Sequence, residues 1–147
     1  MSATKLACLF VFANVLGVNP ASPEQRLTGV WLTEDKSSHV AFQPCGQEDC
    51  GKIVWLREPV DPETGKPWHD KSNPADALKR RPLLGLAILS GLKSAGDGQW
   101  NGDLYNPLDG NTYTGRLQTL ESDRLQLKGC VLAGLLCQSE VWTRVVP

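Results

Sequence analysis

The sequence predicts an all-β fold: one antiparallel β domain of about eight strands, a closed barrel or sandwich, with one short helix inside a long loop. Three observations carry this. Apolar residues recur with a period of two almost everywhere after Leu27, as expected for strands with one buried face. The alternating runs are short and punctuated by Gly, Pro, Asn and Asp, the spacing of barrels and sandwiches. Setting Cys8 aside, the remaining cysteines form an even set, Cys45, Cys50, Cys130 and Cys137, which suits a small domain made in an oxidising compartment.

The N-terminus is read as a targeting segment. Lys5 precedes an apolar stretch from Leu6 to Val18, and Asn19-Pro20-Ala21-Ser22-Pro23 follows with small residues. The stretch has the length of a signal h-region and is too short to span a bilayer comfortably. Residues 1–22 are therefore expected to be a signal peptide and 23–147 a single domain, periplasmic or secreted. Cys8 lies near the start of the apolar run, where a lipid-acceptor cysteine would follow it, so no stable membrane anchor is expected.

Leu27 to Thr33 places Leu27, Gly29 and Trp31 on one face, and His39 to Gln43 alternates Val40 and Phe42 with more polar neighbours. Pro44 to Gly51 reads as a turn. Lys52 to Leu56 is apolar on both faces, the pattern of a strand covered on both sides. From Arg57 to Arg81 the alternation breaks into Pro, Asp, Gly and Lys. Within this excursion Asn73-Pro74 has the form of an N-cap with proline at the first helical position, so a turn or two of helix is expected over 75–80, ending before Pro82. The run Leu83 to Leu89, bracketed by Pro82 and by Ser90-Gly91, reads as a buried strand. Four strands follow as a meander: Gln99 to Tyr105, Thr112 to Leu120, Arg124 to Cys130, and Cys137 to Val145. Closing such a meander removes its exposed edges.

Of three possible cysteine pairings, Cys45 with Cys50 and Cys130 with Cys137 need the least rearrangement, because each pair flanks a short Gly-containing turn. A four-thiolate zinc site competes, but neither spacing is the usual short knuckle. No metal and no cofactor is expected.

Charge excludes some partners. With 15 Lys and Arg against 16 Asp and Glu, and Lys5 lost with the signal, 14 basic residues face 16 acidic ones. The mature charge of about −2 gives no sign of a nucleic-acid partner. Catalytic motifs are also lacking: there is no nucleophile elbow, zinc-protease helix, phosphate loop or dinucleotide fingerprint. His39 reads as a surface residue. His69-Asp70, with Glu58, Asp61 and Glu63 nearby, supports an acid–base or metal cluster only weakly, because loop solvation explains the acids. The protein is expected not to be an enzyme.

The run Gly29-Val30-Trp31-Leu32-Thr33-Glu34-Asp35, then Pro44-Cys45-Gly46 and Cys50-Gly51-Lys52-Ile53-Val54-Trp55-Leu56, resembles the secreted bacterial domain of unknown function 2147 family. Asp70-Lys71, Asn73-Pro74, Arg81-Pro82-Leu83, Gly85-Leu86, Ile88-Leu89, Tyr105, Pro107, Asp109-Gly110, Gly129-Cys130, Leu136-Cys137 and Trp142-Thr143-Arg144 continue the likeness in order. Asn106 stands where the family often has Asp, and Trp68-His69 departs from its pattern.

The resemblance implies a lipocalin-like barrel in the envelope. Such barrels open on Gly-x-Trp and bring an arginine of the last strand against that Trp, so Gly29, Trp31 and Arg144 are expected to form a structural clasp. A guanidinium over an indole is attractive by about 0.5 to 2 kcal/mol. Gly29 is expected to let the backbone pass close beneath the ring. The interior of a barrel of about eight strands is just wide enough to be filled by side chains or to hold one small ligand, and in the second case Trp55, Trp100 and Tyr113 are the residues expected to line its cavity. The leading functional expectation is carriage of a small apolar ligand, with the 57–81 loop as a lid. The alternative is a protein-binding envelope module or inhibitor acting through that loop.

Overall fold

The computed structural model describes residues 25–146, so the expected signal at 1–22 lies outside the described residues. Eight strands form a closed barrel in simple sequence order: β1 (Gly29–Leu32), β2 (Ser38–Cys45), β3 (Glu48–Leu56), β4 (Ala87–Gly96), β5 (Gln99–Asn106), β6 (Asn111–Glu121), β7 (Arg124–Val131) and β8 (Leu136–Val146). Every neighbouring pair is antiparallel, and β1 closes on β8.

Up-and-down order divides the connections between the two ends. The lower end holds the entry to β1 and the turns β2–β3, β4–β5 and β6–β7. The upper end holds the β1–β2 turn, the loop of residues 57–86, and the turns β5–β6 and β7–β8. The core fills the lower half, where Trp31, Val40, Leu89, Leu92, Leu117 and Leu125 are almost completely buried. Phe42 and Trp142 pack as tilted rings 6.4 Å apart across it. Removing side chains of this size from water supplies most of the stabilisation, about 1.5 to 3 kcal/mol each.

Four local expectations are corrected. The turn expected over Pro44 to Gly51 is only Gly46-Gln47, because β2 and β3 pair through Cys45 and Glu48. The Cys45–Cys50 bond ties this hairpin. The strand over 52–56 is not covered on both sides: the register slips between His39 and Val40, making Val54 a bulge and leaving Val54 and Trp55 exposed. Such a bulge turns two successive side chains to one face. Of the run Leu83 to Leu89, residues 83–86 form a turn whose Leu83 and Leu86 are buried, and β4 begins at Ala87 and continues through Ser90-Gly91 with shifted register. The expected helix is one 3-10 turn, Asp76–Leu78, and Asn73 accepts a bond from Ala75 N–H at 2.9 Å two residues before it.

Among the described residues no helix is long and apolar enough to cross a membrane.

Candidate functional site

The lower end of the barrel is shut by side chains. Trp31, fully buried on β1, pairs across the strands with Arg144 of β8. The guanidinium lies 4.4 Å from the centroid of an indole ring whose Nε1 donates to Thr28 O at 3.0 Å. Arg144 Nε donates to Ser122 O at 2.9 Å, tying the β6–β7 turn beneath the ring. Gly29 contributes its backbone, since its φ of +94° is a conformation that side-chain-bearing residues rarely adopt. Asp49, buried at the start of β3, accepts from Arg26 Nη1 at 2.9 Å and Leu27 N–H at 3.0 Å, holding the entry segment across the same end. Trp100 belongs here too, buried and donating through Nε1 to Gln25 O at 3.1 Å.

The upper half is hollow. A cavity of about 780 Å³ runs from Trp142 to the upper turns. Its inner wall is apolar, with Ile53, Leu56, Ile88, Leu104 and Leu127, and Trp68 and Leu83 come from the long loop. Of the three residues expected to line a cavity, Tyr113 does so, while Trp55 and Trp100 are not among the lining side chains. Trp55 is on the outer surface, 40% exposed, with His39 stacked on it at 4.4 Å. The bulge at Val54 explains its outward direction.

Strand β8 gives the cavity its polar stripe. Gln138, Glu140 and Trp142 pair with Gly129, Leu127 and Leu125, so they share the inward face. Trp142 Nε1 donates to Glu140 Oε2 at 2.9 Å. Strand β1 pairs with β8 only from Leu32 downwards; beside the upper part of β8, Glu34 takes the place of a strand by accepting from Val141 N–H at 3.1 Å.

The long loop is fastened at the mouth by a buried carboxylate. Asp70 is fully buried; its Oδ1 accepts from Tyr105 OH at 2.5 Å, and its Oδ2 from Arg81 Nε at 2.7 Å and Asn73 Nδ2 at 2.9 Å. Asn73 Nδ2 also donates to Tyr105 OH at 3.0 Å. A buried charge is tolerated when its lone pairs are filled in this way. Burial, and then the Asp70 hydrogen bond, hold the Tyr105 hydroxyl above the usual phenol range. Nearby, Tyr113 OH donates to Asp109 Oδ2 at 2.5 Å, and that bond, with burial, raises the Tyr113 pKa. Burial acts to raise Asp109, but hydrogen bonds from Tyr113 and Asn111 outweigh it and the net direction is down.

Periodicity did not reveal Asp70, Tyr105, Asp49 or Glu140 as structural pivots. Asn73 is legible as an N-cap, Asp70 as a neighbour of His69 and Tyr105 as a strand residue, but their meeting with Arg81 is not, because loop residues carry no period. His69 forms a bridge with Pro82 in this loop. Among the described residues, no three His, Cys, Asp or Glu side chains come together as a metal ion would require.

A closed, up-and-down eight-stranded barrel with one shut end and one hollow end is a lipocalin-like protein. The chain belongs to the bacterial family described as "Uncharacterized protein conserved in bacteria", domain of unknown function 2147, whose model matches residues 29–144. A solved protein of the human pathogen Helicobacter pylori, described as belonging to the lipocalin family, is similar to it. That likeness has a TM-score of 0.68 and 25% sequence identity, over 82% of this chain and 83% of that one. No curated protein matches the chain.

Proposed function

We propose that the protein is an exported, non-catalytic carrier that binds one small, largely apolar molecule inside the barrel. The cavity is the observation that carries this reading: about 780 Å³ falls within the ~300 to 1,000 Å³ range of small-molecule sites. Its wall suits the chemistry. Aliphatic side chains and Trp142 supply apolar contact, while Gln138, Glu140 and Tyr113 offer a few polar groups along the wall, the usual division between affinity and orientation. The lipocalin-like fold supports the reading by analogy. Two disulfides, Cys45–Cys50 and Cys130–Cys137, and the signal-like residues 1–22 support export. The loop of residues 57–86 acts as a lid latched by Asp70.

Native mass spectrometry of protein purified from its own periplasm tests this. The expected result is a co-purifying small mass released on unfolding. Repeated recovery of the bare chain, together with failure to take up any apolar probe, overturns the reading.

A further inference from the structure

The β7–β8 turn has the opposite of the usual surface composition. Between Cys130 and Cys137 the chain reads Val-Leu-Ala-Gly-Leu-Leu, with no charged residue. Leu132 is 70% exposed, Leu135 87% and Leu136 60%, and Leu108, on the β5–β6 turn at the same end, is 83% exposed. Scattered exposed leucines are ordinary, but a contiguous group on a loop tip marks an interaction site.

The outward presentation is built in. Leu132, Ala133 and Gly134 have φ of +53°, +55° and +87°, three successive residues in the left-handed region. The Cys130–Cys137 bond closes the segment at its base. Non-glycine residues seldom adopt that region, and here it keeps Leu132 and Leu135 pointing away from a cavity that Val131 and Leu136 border.

Two cations lie just below. Arg116 of β6 and Lys128 of β7 are direct cross-strand partners on the exposed outer face, and neither makes an ion pair among the described residues. Arg116 Nη2 reaches to within 3.6 Å of the point where a Cβ on Gly134 would sit, so its guanidinium is at the base of the tip. Leucines at a tip with cations one level beneath match the layering of a lipid surface, where apolar groups enter roughly 5 to 10 Å and basic groups stay at the phosphates.

We infer that the apolar β7–β8 tip, with Leu108 on another turn of the same end, docks the open end of the barrel on a lipid bilayer, with Arg116 and Lys128 meeting lipid phosphates. Docking there sets the cavity mouth against the membrane, the place where a water-insoluble ligand would enter or leave.

The test is co-sedimentation with vesicles of phosphatidylcholine alone and of phosphatidylcholine with phosphatidylglycerol. It uses disulfide-bonded protein recovered from an exporting host, and it reads docking whether or not a ligand is carried. The native protein is expected to bind both, and more tightly when the anionic lipid is present. The L132S/L135S pair should weaken binding to both by at least ~tenfold, while R116Q/K128Q should abolish only the anionic preference. L120S, at an exposed leucine beside the β6–β7 turn of the shut end, should bind as the native protein does; near-ultraviolet circular dichroism checks each fold. The inference is overturned if the native protein ignores both vesicles, or if L132S/L135S binds unchanged. It is equally overturned if L132S/L135S alters only self-association, which would make the tip a contact between copies.

Discussion

Arg144 lies over the buried ring of Trp31, 4.4 Å from its centroid, and ties the first strand to the last at the shut end of the barrel. One contact thus joins barrel closure to the packed lower core, below the Trp142 floor of the cavity. R144M, which keeps the stem and removes the charge, should lower stability by about 0.5 to 2 kcal/mol. W31A, which opens a hole in the core, should cost about 3 to 5 kcal/mol. Urea unfolding followed by circular dichroism measures both. Equal costs would mean that the ring contributes nothing beyond its contact with Arg144.

The latch at the mouth gives a second prediction. Asp70 fills its lone pairs with Tyr105, Arg81 and Asn73, so D70A removes the acceptor of three hydrogen bonds while Asn73 Nδ2 keeps its bond to Tyr105 OH. The expected loss is about 1 to 3 kcal/mol. Hydrogen exchange should rise across residues 57–86 and hardly change in the strands of the shut end. Uniform acceleration would show that Asp70 supports the whole fold.

Tyr105 and Tyr113 are the chain's two tyrosines, and both have raised pKa values, so their ultraviolet titration isolates the mouth. Because the folded-state values are raised, the associated stability is fully present below the unfolded phenol value of about 10 and is lost as pH climbs through the folded values. In the native protein both tyrosinate steps should therefore lie above the ordinary phenol value. D109N removes the carboxylate that leads the Tyr113 shift and should move one of the two ionisations down. Two unperturbed steps in the native protein would contradict the hydrogen bonds described.

Gly110 offers a steric test. A Cβ there would clash with Ser72 O of the long loop, and its φ is +73°. G110A should loosen the packing of the β5–β6 turn against the loop and lower stability by more than the ~1 kcal/mol of an ordinary loop change. The measurement is Tm by differential scanning calorimetry, and an unchanged Tm would mean that the two loops do not touch in solution.

The strands were legible because side-chain alternation is local. Leu125 and Leu127 inside with Gln126 and Lys128 outside can be read from four letters, and β5 to β8 fall within a residue or two of expectation. The bulge at Val54 was not legible, because it depends on how β2 aligns against β3, and it is what sent Trp55 to the outer surface. Trp100 shows a related limit: alternation gave its inward face but not whether it lay at the packed or the hollow end. Loop pivots such as Asp70 have no period at all, so the sequence shows Asp70 as one acid among several in the loop and not as the acceptor for Tyr105, Arg81 and Asn73.

Whether the hollow takes up a ligand is read by obstructing it from β8. Gln138 faces the hollow from an exposed stretch of β8, so Q138W pushes an indole into the space with little disturbance to the packed lower core. Titration with a neutral environment-sensitive apolar dye should give saturable one-to-one binding to the native protein and at least ~tenfold weaker binding to Q138W, with circular dichroism unchanged. Saturable binding that survives undiminished in Q138W, or none in the native protein, would contradict the account.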